Sequence, residues 1–475
     1  MKFVLTGIDK KVSNGEGLKE KPGTIFIGAL GLLMIICLVN YCYVDLQMIV
    51  RHSLNLWDCL FSGNLLHFYQ TACQRSIGAL NPQSGEVPYD IWVYIPIAVW
   101  NLPIYIWEKA TGITFEASFI ALLWARLGNM LPFAASIWAV WKVTELLNRD
   151  SVSRLWACYF YAGSMLLLNG LFCLGQIDIY NAFFMLMGLA AYLKRERKKF
   201  LIWFALSITC KMFSLFVFLP LLLLMEKRIL FMLRDGVAAL SLSLLSKVIF
   251  FADKMKTPTQ FDERRFLRML FERRIDLSGI TVSFLVLLFM ALLIWCWYTE
   301  LNDENFTHKT VWTAFAGYSC FFVGATTLPY WAVVFSPFIP VLMVLFPKRA
   351  KILLWLETAA GAAYFVMGLC NYGYAYAASA NLRWMLAGVL NDRELKGMDF
   401  SLLYDALSDA ARQNIEALLT GVFIAAVAAV LVITRPGNRR EAGEDKLMVD
   451  KGSIAMRLFA NSCLTFLPLL VYLLV

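Results

Sequence analysis

Apolar blocks, most of them of roughly 17–25 residues and so long enough to cross a bilayer core, alternate with polar stretches along the chain. They cover 24–44, 119–141, 155–174, 179–193, 200–225, 235–251, 279–298, 311–327, 332–346, 352–370, 415–434 and 455–475. The pattern predicts an all-α polytopic membrane protein with about 13 transmembrane helices. Residues 45–90 break the rhythm. Leu54, Leu56, Trp57, Leu60, Phe61, Leu65, Leu66 and Tyr69 fall at near-helical spacing there. This predicts one or two helices lying in the membrane interface.

Basic residues set the sidedness. Residues 1–23 hold Lys2, Lys10, Lys11, Lys19 and Lys21 and read as a cytoplasmic tail. "KRERKK" (194–199), "MEKR" (225–228), "PKRAK" (347–351) and "RPGNRREAGEDK" (435–446) mark the same side. Two adjustments keep the alternation consistent. The stretch 91–107, broken by Pro96 and Pro103, is expected not to span. Residues 200–225 are expected to form a hairpin of two short helices with Lys211 near its outer tip. The expected external loops are 45–90, 252–278 and 371–414, with the N-terminus inside and the C-terminus outside.

Composition supports this class. The 475 residues are 60% hydrophobic and 16% charged, against about 25% charged in soluble domains. The net charge of +9 is accounted for by loops between spans rather than by nucleic acid. Block 24–44 is too long for a cleaved signal peptide and no small-residue cleavage site follows it. Eleven cysteines show no metal-ligand spacing, and Cys59 and Cys73 share the first external loop, where a disulfide is an option.

Charges at the edge of a span are costly and point to function. Asp45 ends the first span, and "GQID" (175–178) fills a tight outer turn with Gln176 and Asp178. Lys211 interrupts "LSITCKMFSLF", and Tyr330 and Trp331 lie in the outer turn "LPYW". The acids, amide, lysine and aromatics on one face suit a sugar on an anionic lipid carrier. Each has a plainer alternative: span-ending for Asp45, helix capping for Asp178, a turn bond for Gln176, snorkelling for Lys211, and an aromatic belt for Tyr330 and Trp331. Arg51 and His52 are weaker candidates for substrate contact, Asp58 reads as a solvated helix face, and Arg126 and Asn129 as helix–helix contacts. The amphipathic stretch "FDERRFLRMLFERR" (261–274) offers Arg264, Arg265, Arg273 and Arg274 to headgroups or a diphosphate.

These residues in this order resemble the polyprenol-phosphate-dependent glycosyltransferases of the C fold, and in particular their bacterial mannosyltransferase-like branch. The likeness rests on Asp45 after the first span, "GQID" in an outer turn, the cytoplasmic basic run, Lys211 before "LPLLLLMEKR", and "LPYWAVVFSPFIPVL". It covers roughly 24–346, which it implies is a membrane catalytic module; 347–475 would be C-terminal membrane helices. It implies that Asp45 is the catalytic carboxylate, that Gln176 and Asp178 face the cavity, and that Lys211 lies near a lipid phosphate. Two departures stand out. Thr327, Leu328 and Pro329 occupy the place where that branch often has a histidine, and "VPYDIWVYIP" (87–96) matches its Tyr-Pro-Pro segment only loosely.

The implied activity is an inverting hexosyl transfer, mannose-like, to a lipid-linked or cell-envelope glycan at the outer face of the plasma membrane. It requires no cofactor, and two carboxylates alone make a thin case for a divalent metal. The alternatives are a lipid or polysaccharide transporter or flippase, and a polymerase or ligase using diphosphate-linked donors.

Overall fold

A computed structural model of the chain describes residues 17–41, 43–75, 87–147, 150–253, 263–371, 404–437 and 446–474. The first 16 residues of the expected tail and 372–403 of the third expected external loop lie outside the described residues. The described chain is almost wholly helical. Its sheet content is one antiparallel hairpin, β1 (Arg274–Leu277) and β2 (Ile280–Ser283). Among the described residues, four helices are long and apolar enough to cross a membrane: Phe119–Leu146, Ile229–Ile249, Pro347–Asn371 and Asp409–Ile433. Counting each of two bent helix pairs as one span raises this to six. Several of the remaining apolar blocks form shorter helices of 10–17 residues.

The bundle has two distinct ends, joined by helices that run between them. The first end is a belt of charge pairs. Lys451 meets Glu20, Trp156 donates to the Glu20 carbonyl, and Lys351 pairs with Asp450. Arg349 donates to the Ile433 carbonyl, and His308 meets that of Thr434. Arg195 pairs with Asp303, and Arg197 joins Glu226 and Asp235. Among the described residues, members of the runs 194–199, 225–228 and 347–351 thus share this belt.

The opposite end carries a cap. The first helix, α1 (Thr24–Asn40), leads to α2 (Val44–Phe61), and α3 (Phe68–Arg75) follows. Next come α4 (Ile91–Trp100), α5 (Leu102–Thr111) and α6 (Phe119–Leu127), and α7 (Met130–Leu146) then runs back through the bundle. Asp45 and Asn129 both bond the turn at residues 175–176. The chain between them therefore begins and ends at the same face. Helices α4 and α5 have ten residues each and break at Asn101. At 1.5 Å per residue each reaches about 15 Å, half a bilayer core. The cap is tied down by Asp253, whose carboxylate accepts from the amides of Tyr69 (2.9 Å) and Gln70 (3.2 Å). Trp92 donates to the Leu242 carbonyl.

The 200–225 block is a hairpin. After α8 (Ser151–Ala162) and α9 (Asp178–Leu193), α10 (Arg197–Cys210) rises and α11 (Leu215–Met225) returns. Arg197 at the foot of one meets Glu226 at the foot of the other at 3.1 Å, and Phe200 stacks on Phe218 between them. Breaking a helix inside apolar surroundings leaves backbone groups that need partners. Asn181 supplies them. Its Nδ2 donates to the carbonyls of Ser207 (2.8 Å) and Lys211 (3.2 Å) and to Ser214 Oγ (2.7 Å), and its Oδ1 accepts from Tyr318.

Beyond lie α12 (Ile229–Ile249), α13 (Glu263–Phe271), α14 (Phe284–Tyr298) and α15 (Phe306–Gly324). They are followed by α16 (Phe338–Leu345), α17 (Ala350–Asn371), α18 (Asp409–Ile433) and α19 (Lys451–Leu474). Close approach needs small residues. A Cβ on Gly317 of α15 would sit 2.0 Å from the Phe216 carbonyl oxygen of α11. One buried ion pair clamps α19 to α17. Arg457 donates to Glu357 (2.6 Å) and to the Phe160 carbonyl, and Ser164 donates to the other Glu357 oxygen.

Candidate active site at the capped end

Asp45 sits in the first turn of α2, where a carboxylate opposes the positive end of the helix dipole. Its Oδ2 accepts from Gln176 Nε2 at 3.2 Å. Gln176 comes from a turn built in steps. The segment Leu168–Cys173 is π-helical. Gly175 then adopts φ +68°, a conformation that suits glycine. The turn closes with Gln176 N donating to the Gly170 carbonyl at 2.9 Å. Two polar side chains clamp it from α6 and the start of α7. Arg126 donates to the Phe172 carbonyl, and Asn129 donates to that of Gly175 at 2.9 Å. Both are buried. The helix–helix hydrogen bonding expected of them is what they do, and it falls on the turn that carries Gln176.

Asp178 begins α9 and is 1% exposed. Its Oδ1 lies 3.2 Å from Lys211 Nζ. Neither oxygen makes a capping bond, and Oδ2 has no hydrogen-bond partner among the described residues. Lys211 occupies the hairpin tip in extended conformation (φ −153°). Its ammonium lies 4.7 Å from the Trp331 ring centroid, 5.3 Å from Phe213 and 5.5 Å from Tyr89. This is cation–π range. The segment Pro329–Val334 delivers Trp331, and its Tyr330 packs against Tyr43, two residues before Asp45, at 5.8 Å. A Cβ on Gly170 would meet the Tyr330 carbonyl at 2.5 Å, so glycine lets the two turns touch.

Six candidates thus converge: Asp45, Gln176, Asp178, Lys211, Tyr330 and Trp331. Tyr89 joins them unforeseen. Burial pushes its phenol up from the ordinary range, and the negative charges of Asp178 and Asp45 add to the shift. It stands in "VPYD", within the 87–96 segment that matches the Tyr-Pro-Pro pattern only loosely. Phe213 was hidden in an apolar run.

Arg51 and His52 lie elsewhere on α2. Arg51 pairs with Glu108 and Glu116 and covers Phe115, stitching the cap together. The salt bridges outweigh desolvation and hold its guanidinium charged. His52 is buried edge-on to Tyr94. Asp58 accepts from Tyr105 and pairs with Lys109, so it is engaged rather than simply solvated. Cys59 and Cys73 are not joined in a disulfide, so the optional bridge is not formed. Arg273 donates to the Val323 carbonyl at 2.7 Å, near the C-terminus of α15, and Arg274 to that of Phe271. The side chains of Arg264 and Arg265 lie outside the described residues. Among the described residues, no group of three or more His, Cys, Asp or Glu gathers to hold a metal ion.

The arrangement offers a carboxylate held by an amide, a second carboxylate with an open acceptor, one cation, and aromatic walls. It can accept a proton from a hydroxyl and hold an anion beside it. No known protein family, curated protein or solved structure matches the chain.

Proposed function

We propose that this chain is an inverting glycosyltransferase of C-type, about thirteen-crossing architecture. It moves a hexose, mannose-like, from a polyprenyl-phosphate donor to a lipid-linked or cell-envelope glycan acceptor. One observation carries the reading: Asp45–Gln176 and Asp178–Lys211 meet beside Trp331 at the end of the bundle opposite the basic belt. By the positive-inside rule the belt is cytoplasmic, which puts the site at the extracytoplasmic face of the plasma membrane.

Lys211 holds the donor phosphate. The acceptor oxygen attacks the anomeric carbon, Asp45 takes the hydroxyl proton, and the sugar–phosphate C–O bond breaks. Polyprenyl phosphate leaves with the bonding pair, its charge stabilised by the ammonium. With one base and no covalent intermediate, the anomeric centre inverts. A polymerase using diphosphate donors would lean on the external arginines, of which Arg273 and Arg274 each donate to a backbone carbonyl.

The test is transfer from decaprenyl-phosphate mannose in detergent by wild type and Asp45→Asn. The variant should lose about 10²–10⁴-fold in rate while keeping its unfolding temperature. Transfer at the wild-type rate would remove Asp45 from the chemistry and overturn the proposal.

A further inference from the structure

We infer that Gln176 is a positioning residue, whose amide fixes the orientation and ionised state of the Asp45 carboxylate rather than binding substrate. This rests on the reading of Asp45 as the base. Gln176 is buried, and its Nε2 reaches Asp45 Oδ2 at 3.2 Å. Its own freedom is small. The backbone amide is bonded to Gly170 and the preceding carbonyl is held by Asn129. On the neighbouring side, a Cβ on Gly175 would lie only 3.0 Å from Leu46 Cδ2. The turn therefore presents the amide at one place, directly against the first turn of α2.

The chemistry follows from the donor type. A side-chain amide N–H stabilises a carboxylate and has nothing to accept from a neutral acid at the same nitrogen. It favours the form that acts as base and orients its lone pairs. Other groups face the same space: Asp178 from α9, Lys211 from the hairpin tip, Tyr89 before α4 and Tyr330 from Pro329–Val334. Asp178 and Lys211 bring opposite charges to that space, and burial pushes the Tyr89 phenol up from its ordinary range. Gln176 is a neutral donor to Asp45 and takes no part in that balance of charges.

Gln176→Met keeps the length and removes the donor. With decaprenyl-phosphate mannose as donor, kcat should fall about 10–100-fold, the scale of one hydrogen bond to a charged group. KM should stay within about twofold. The acid limb of the kcat profile should move up by about one pH unit, so that the deficit narrows as pH rises. A loss of equal size at every pH, or a profile superimposed on wild type, overturns the inference while Asp45→Asn remains inactive. Activity in Asp45→Asn marks the separate failure of the base assignment and takes this inference with it. Gln176→Glu repeats the test should the methionine variant not fold. It sets a second carboxylate beside Asp45, so its acid limb should move up further still; an unshifted limb is again refutation.

Discussion

Replacing Lys211 with methionine removes the ammonium and keeps the side-chain length. Asp178 is then left 1% exposed with no cation at 3.2 Å. Staying ionised costs about 3–5 kcal/mol, the scale of a broken buried pair. Its one escape is to take up a proton. From an ordinary carboxyl pKa near 3.9, at about 1.4 kcal/mol per pH unit, that costs about 4 kcal/mol at pH 7 and about 1.5 kcal/mol at pH 5. The two routes agree near 4 kcal/mol at pH 7, and protonation caps the loss at pH 5. Losing the contact with Trp331 adds about 0.5–1 kcal/mol, which the apolar methionine partly offsets. The deficit is thus full at neutral pH and fades as pH falls toward the range where the unfolded acid is itself protonated. The assay is thermal unfolding in detergent at pH 7 and pH 5, for Lys211→Met and for Asp178→Asn/Lys211→Met. The double variant should return to within about 1 kcal/mol of wild type, because no charge is left buried, yet it should not transfer sugar. A single variant as stable as wild type at pH 7, or equally impaired at both pH values, refutes the reasoning.

Two further outcomes follow from other contacts. Arg457→Met leaves Glu357 buried with Ser164, and should cost about 3–5 kcal/mol, much of which Glu357→Leu in the same chain should restore; the unfolding midpoints of the single and double variants decide it. Asp450 is held down to about 2 by Lys351, with the amide and hydroxyl of Ser453 assisting at the start of α19. A depressed carboxyl stabilises above its unfolded value, near 3.9, and loses that contribution as pH falls toward 2. Hydrogen exchange at the first turn of α19 should therefore accelerate between about pH 4 and pH 2 in the wild type and show no such step in Asp450→Asn.

Much of the architecture follows from local features of the chain. Block length and apolar content select membrane-crossing helices because a bilayer interior offers the backbone no other partners. The cost of charge in that medium singled out Asp45, Asp178 and Lys211 before any fold was known. The break in 91–107 falls at Asn101 rather than at Pro96, which lies inside α4, whereas Lys211 marked the hairpin tip. These are properties of short windows, and a linear pattern expresses them fully.

Partner choice is another matter. Asp45 and Gln176 are 131 residues apart, and several buried donors compete for any one acceptor until packing sets the distances. So Arg51, an apparent candidate two turns from Asp45, is spent on Glu108 and Glu116 in the cap, whereas Asn129, read as a plain helix contact, holds the carbonyl behind Gln176. Tyr89 reaches Lys211 because Asp253 and Trp92 pin the cap to the end of α12. Chemistry written in residue types is visible along the chain. Which of those residues face one another depends on how the cap and the hairpin close, and that is fixed by contacts between segments distant in sequence.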